Sequence, residues 1–239
     1  NGGIKIEDVK LDRIVADSAS GQVSTNRVYA TDYRIKCSSG DICMNEVNSI
    51  QVSASTMSGN VEADNTEAKN ISLKSLSGDV NARNLDADII NNSSLSGDLS
   101  VAHMKASECK IRTTSGDIDI NDFTMNNADI SSGSGDIKLS EIIGDGLRAC
   151  SISGDVKIDI NVKRCHASSK SGNINVKCNG DLVLESSSIS GNVNVQLKNY
   201  ENGYCIKSRT TTGELYINYN NVRQRNLKTG VYSHGNQGS

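Results

Sequence analysis

The motif that recurs along this chain is clearest in Thr113-Thr114-Ser115-Gly116-Asp117-Ile118-Asp119-Ile120. Its centre is a small residue, a glycine and an acid or amide. The central glycines are Gly40, Gly59, Gly78, Gly97, Gly116, Gly135, Gly154, Gly172 and Gly191, with looser copies at Gly2, Gly21 and Gly213. From Gly2 to Gly154 every step is 19 residues, and the later steps are 18, 19 and 22. A fixed period of this kind indicates stacked structural repeats.

Hydrophobic side chains alternate with polar ones on both sides of each glycine. The second residue after the glycine is aliphatic in every copy, as at Ile118, and the fourth is mostly apolar, as at Ile120. The seventh and fifth residues before the glycine are mostly apolar or small, as at Cys109 and Ile111. Because a period of two is typical of a strand with one buried face, each repeat predicts two short strands joined at the Ser-Gly-Asp turn.

These repeats predict an all-β fold, a single-stranded parallel β-helix (β-solenoid). A unit of 19 residues cannot bury its own apolar face, so the units must stack, with equivalent positions aligned in columns ~4.8 Å apart. We expect one domain over residues 1–239, with about twelve 19-residue coils over residues 2–219 and an irregular tail or cap at 220–239. Right-handed crossovers dominate parallel connections, so a right-handed coil is expected.

Composition agrees with a thin, elongated core. The chain has no Pro, no Trp and one Phe, and 36% of its residues are hydrophobic. The regular alternation argues against disorder, which low hydrophobicity would otherwise suggest. A net charge of −3 argues against nucleic acid as a partner. No apolar run approaches the ~18 residues of a membrane span, and the chain opens with Asn1, so we expect membrane contact only through a segment outside this chain.

The tandem Ser-x-Ser-Gly-Asp-Val-x-Val units at residues 113–120 and 151–158 resemble a bacterial β-strand-repeat family labelled as an adhesin, a domain of unknown function. The resemblance extends from Gly2 to about Gly213. It implies a β-helical, often surface-exposed module that is frequently attached to a membrane segment elsewhere in the protein. It implies no catalytic residue.

Two polar columns flank the turn. The acids that follow the glycines are Asp79, Asp98, Asp117, Asp136 and Asp155. They predict either a cation ladder or residues that each cap their own turn, and we favour the second. Ser or Thr recurs one and three residues before the glycine, and both positions are expected to point inward as rows of hydroxyls. No His or carboxylate recurs beside a serine to activate it as a nucleophile.

We expect neither a metal nor another cofactor. The seven cysteines are irregularly spaced and form no Cys-x-x-Cys pair, so most are expected to be free thiols. The buried pair Cys109 and Cys165 should be inert, whereas Cys43 and Cys150 should face solvent. Five tyrosines near the C-terminus predict either a sugar-stacking platform or, as we favour, packing over the last coil. They are Tyr200, Tyr204, Tyr216, Tyr219 and Tyr232.

The candidate binding surface lies two residues before the glycine, where the alternation predicts outward side chains. This position is apolar in five repeats, as Met57, Leu76, Leu95, Ile152 and Ile189. Exposed apolar side chains in a row predict a strip that contacts a partner or ligand. The alternative is loose packing at a corner of the coil.

The sequence therefore predicts a protein that is not an enzyme. We expect a non-catalytic bacterial surface module for adhesion or sensing, extracytoplasmic or at the cell surface and membrane-anchored in the full-length protein; a cytoplasmic location stays open. The alternative is a bactofilin-like scaffold that self-assembles end to end through its open first coil. A polysaccharide-acting β-helix enzyme is less favoured, because near-constant coil lengths leave little room for a cleft. Partners could be a surface glycan, a protein or another copy of the chain.

Overall fold

A computed structural model describes residues 2–198, 203–219, 222–224 and 229–234. These residues form a parallel β-solenoid of about eleven turns, with coils of about 19 residues and no helix, which confirms the predicted fold class. The first eight strands are β1 Ile4–Ser20, β2 Val23–Ser39, β3 Ile42–Ser58, β4 Val61–Ser77, β5 Val80–Ser96, β6 Leu99–Ser115, β7 Ile118–Ser134 and β8 Ile137–Ser153. The others are β9 Val156–Ser171, β10 Ile174–Asn179, β11 Leu182–Ser190, β12 Val193–Lys198, β13 Tyr204–Thr212, β14 Leu215–Tyr219, β15 Val222–Gln224 and β16 Gly230–His234.

Each of the first eight coils is one continuous strand of 17 residues, so the expectation of two short strands per repeat was wrong. The strand bends where the sixth residue after the glycine adopts a positive φ. These residues are Asp8, Arg27, Glu46, Asn65, Asn84, His103, Asp122 and Glu141. Asn and Asp tolerate this conformation, but it is costly for Arg and Glu. No shared residue type marks the bend, which is why the sequence did not reveal it.

Neighbouring coils pair in strict register, and this places equivalent residues in columns. Ile118 of β7 pairs with Leu99 of β6 on one side and with Ile137 of β8 on the other. The predicted apolar columns form one continuous core, and a further column, seven residues after each glycine, includes the fully buried Phe123. The outward residues of each coil therefore line up as rows along the rod.

One coil is a residue shorter than the others. The step from Gly154 to Gly172 is 18 residues, and the pairing of β8 with β9 shifts register between Leu139 and Ile142. This local irregularity absorbs the missing residue, so Ser153 again pairs with Ser171 at the next turn. The columns near the turn consequently continue into the later coils.

The C-terminal strands cover the last coil. β15 pairs antiparallel with β14, and β16 pairs antiparallel with β13. Tyr232 packs partly buried against the core, and the rings of Tyr204 and Tyr219 lie 6.2 Å apart between centroids. These three tyrosines thus pack over the end of the solenoid, whereas Tyr200 lies outside the described residues. At the other end, β1 pairs only with β2 in the part of the chain that the structure describes.

Candidate functional site

The turns are held by side chains from the neighbouring coils. Backbone bonds join the Gly97 amide to the Ser115 carbonyl at 3.0 Å and the Leu99 amide to the Asp117 carbonyl at 2.9 Å. The Gly97 carbonyl and the Asp98 amide lie between these two bonds and form hydrogen bonds with side chains instead. Thr113 donates its hydroxyl to the Gly97 carbonyl at 3.0 Å. Equivalent bonds are made by Thr56, Ser75, Ser94, Ser132, Ser151, Ser169 and Ser188.

The hydroxyl three residues before the glycine is therefore inward, as expected, but it bonds to the turn of the preceding coil. The hydroxyl immediately before the glycine is not inward. Ser58, Ser96 and Ser115 are exposed, because the chain leaves the strand at this point and the alternation ends. The predicted inward direction of that second column was wrong.

The acids that follow the glycines form the other side-chain hydrogen bond at each turn, to the backbone amide. Asp98 accepts a hydrogen bond on its Oδ1 from the Asp117 amide at 2.8 Å, and Asp117 accepts one from the Asp136 amide at 2.7 Å. The same bond runs through Asn60 and Asn173, since an amide oxygen can replace the carboxylate. Each acid thus caps the turn of the next coil, not its own as expected. No three His, Cys, Asp or Glu side chains group as metal ligands within the described residues.

Glycine is required because the turns stack closely. A Cβ built on Gly116 would lie 2.1 Å from the Gly97 carbonyl oxygen, the atom that also accepts the Thr113 hydroxyl. No side chain fits at that distance. The Ser-x-x-Gly-Asp spacing is therefore explained by packing and hydrogen bonding between coils.

Ion pairs between adjacent coils recur on the outward surface. Lys138 lies 2.7 Å from Asp119, and Arg112 lies 2.6 Å from Asp129. Lys207 lies 2.9 Å from Glu185 and holds the pKa of that carboxyl below its usual value. At such exposed positions these pairs contribute little to stability.

The thiols divide by burial. All seven cysteines are free, and Cys109 and Cys165 are buried, where desolvation raises the pKa of both thiols. Burial also raises the pKa of Cys178 to about 12. Cys43 and Cys150 are half-buried at outward positions. The buried thiols therefore behave as core residues.

The five predicted strip residues are all exposed, but they fall into two groups. Met57, Leu76 and Leu95 are 57%, 44% and 50% exposed and belong to three successive coils, so they form one continuous ridge. We call these three side chains the apolar ridge. Ile152 and Ile189 are separated by Lys170 and border a different feature.

That feature is a shallow groove of about 690 Å³ along the later coils. Its floor is the outward column four residues before the glycine, where successive coils carry Ser131, Cys150, Ser168 and Ser187. Ile152, Lys170 and Ile189 border it, and Arg148 and Arg209 reach it. We call this the serine groove. No groove was predicted here; the available signal was the unbroken run of small residues in a column that carries Lys74 and Arg112 in earlier coils.

The model of the family described as Toastrack DUF4097 matches residues 1–86 and 66–216. The chain belongs to this family. Toastrack DUF4097 is a β-strand repeat domain of unknown function, which confirms that part of the resemblance; the adhesin label has no support from the match. No curated protein and no solved structure matches the chain.

The Toastrack match contains the features just described. Both the apolar ridge and the serine groove lie within residues 1–216, whereas β15 and β16 lie beyond the matched residues. None of the described residues belongs to a helix that is long and apolar enough to cross a membrane.

Proposed function

We propose that this Toastrack domain is a non-catalytic surface module for adhesion or sensing, displayed outside the cytoplasm by an anchor outside this chain. Its contact surface is the apolar ridge, and the partner of the ridge is a second copy of the chain. The observation that carries the proposal is the exposure of Met57, Leu76 and Leu95 on three successive coils. Folding does not require apolar side chains at these outward positions.

The spacing of the ridge favours a second copy. Ridge side chains follow one another at the coil spacing of ~4.8 Å, and another solenoid carries the same spacing. A two-fold axis through Leu76, perpendicular to the rod, would place Met57 against Leu95 of the second copy. Such a self-complementary contact is the usual arrangement of a symmetric dimer.

The ridge is too small for a tight interface. It offers three half-exposed side chains, far less than the ~800 Å² per partner of a standard interface. Single contacts would therefore be weak. Many copies displayed on one surface would nevertheless hold two surfaces together by avidity, which suits adhesion.

End-to-end assembly as a scaffold has one supporting observation, the outer edge of β1, which has no strand partner among the described residues. At the opposite end, however, β15 and β16 run antiparallel to the coils that they cover. A parallel stack could not continue through these strands in the same register. Side-by-side contact is therefore the better-supported proposal.

The test is the double change Leu76→Ser plus Leu95→Ser. We expect beads coated with this variant to aggregate several-fold less than beads coated with the unchanged chain, while the melting temperature stays the same. The matched control is Ile50→Ser plus Ile89→Ser, two isoleucines that are exposed elsewhere on the rod. Equal aggregation of the ridge variant would refute self-contact, and a large fall in its melting temperature would show that the leucines belong to the core.

A further inference from the structure

We propose that the serine groove binds a linear acidic polysaccharide. This site goes beyond self-contact through the apolar ridge, because it lies on different coils and uses different chemistry. The charge, shape and length of the groove all suit such a ligand.

The groove is cationic on a protein that is acidic overall. Arg148, Lys170 and Arg209 line it, and no Asp or Glu does, although the net charge of the chain is −3. None of these three side chains forms an ion pair among the described residues. The Arg148 Nε donates to the Cys150 Sγ at 3.4 Å, and Asp129, which is aligned with Arg148 on the adjacent coil, is paired with Arg112. By contrast, Arg112 and Lys207, close by on the same face, each pair with an acid. The groove therefore retains positive charge for an anionic ligand.

The cations are spread along the rod. Arg148 lies two residues before Cys150 on the same coil. From Cys150 the register passes to Ser168, then to Ser187 and then to Arg209, one coil at each step. Three coil steps correspond to ~14 Å. Such a separation suits an elongated ligand with repeated negative charges.

The floor and borders favour sugar over peptide. Ser131, Ser168 and Ser187 present hydroxyl groups that can donate to and accept from sugar hydroxyls. Ile152 and Ile189, each 54% exposed, offer apolar surface to the C–H faces of sugar rings. A peptide would gain no added-strand pairing here, because the strands below are already paired on both sides.

The decisive variant is Arg148→Ser plus Arg209→Ser. The probe is a fluorescent oligogalacturonate, compared with a neutral maltooligosaccharide and with poly-glutamate, by anisotropy at low and physiological salt. We expect the unchanged chain to bind the oligogalacturonate, with affinity that falls as salt rises, and the variant to bind about tenfold more weakly. Ile152→Ser plus Ile189→Ser should weaken binding of the oligogalacturonate without weakening any binding of poly-glutamate.

The control is Lys69→Ser plus Lys157→Ser, which removes the same charge at exposed positions outside the groove. This control should bind like the unchanged chain. Equal losses in both double variants would show attraction to the protein as a whole, and equal binding of poly-glutamate would show an acidic-peptide site; either result overturns the proposal. The ridge variant Leu76→Ser plus Leu95→Ser should keep full binding, so failure of one site is distinguishable from failure of the other.

Discussion

At the scale of single residues, Asn92 is the side chain that conflicts with its surroundings. It lies in an inward column between Leu73 and Ile111, and only 1% of it is exposed. Its side-chain Nδ2 and Oδ1 atoms have no hydrogen-bond partner among the described residues. A buried polar group without a partner destabilises the folded state.

Replacing Asn92 with leucine should therefore stabilise the solenoid. We expect Asn92→Leu to raise the free energy of unfolding by ~1–3 kcal/mol, measured by urea denaturation, because a desolvated amide is replaced by an apolar side chain of similar size. Asn91→Leu, at the exposed neighbouring position, is the control and should change little. A less stable Asn92→Leu variant would contradict this account.

Residue patterns predicted the core columns well and the corners poorly. Alternation correctly placed Ile118 and Ile120 inside, because burial repeats every second residue while the strand is extended. It failed at Ser115, where the chain turns, and it could not place the bend at His103, because a positive φ there follows from coil geometry and not from residue type.

At the scale of the element, each turn is completed by hydrogen bonds from the coils before and after it. Thr113 is 6% exposed and supplies the side-chain donor to the Gly97 carbonyl. Thr113→Val keeps the shape of the side chain and removes the hydroxyl. We expect it to cost ~1–3 kcal/mol of unfolding free energy, because the carbonyl is left without this partner.

The neighbouring Thr114 provides the matched control, since it is exposed. Thermal unfolding should show a lower melting temperature for Thr113→Val and almost none of this effect for Thr114→Val. If both variants melted alike, the hydroxyl beneath the turn would not contribute measurably to stability.

The candidate sites were predictable to different degrees at this scale. Apolar residues at outward positions identify the ridge directly from the sequence, because Leu76 and Leu95 contrast with polar neighbours. The serine groove has no such contrast. It arises because a column of small side chains lies between taller ones, and that shape depends on the register between coils.

At the scale of the whole molecule, stability comes from contacts between neighbouring coils, as in other solenoids. The pairing runs in order from β1 to β10 and then continues through shorter strands, so the core is narrow and continuous. The buried cysteines lie on different coils, so the reactivity of each thiol shows whether the core is intact at that position.

The thiols therefore predict a pattern of protection. In the native chain, Cys43 and Cys150 should react with a maleimide, and Cys109, Cys165 and Cys178 should react only after unfolding. Burial raises the pKa of Cys43, so less thiolate is present near neutral pH and its reaction should accelerate as pH rises. Mass spectrometry of trapped peptides measures this. A Cys109–Cys165 disulfide would contradict the register, because the two residues share one column but lie three coil steps apart, ~14 Å.

Hydrogen bonding between successive turns also determines which insertions and deletions the rod can tolerate. The Thr113 hydroxyl and the Gly97 carbonyl are 16 residues apart, and the same spacing recurs along most of the chain. Duplicating or deleting one whole repeat would join every donor to an equivalent acceptor. Any other change would misalign the junction unless a strand irregularity absorbed it, as occurs between Leu139 and Ile142. The rod can thus grow or shrink in steps of one coil while the chemistry of its remaining faces is preserved.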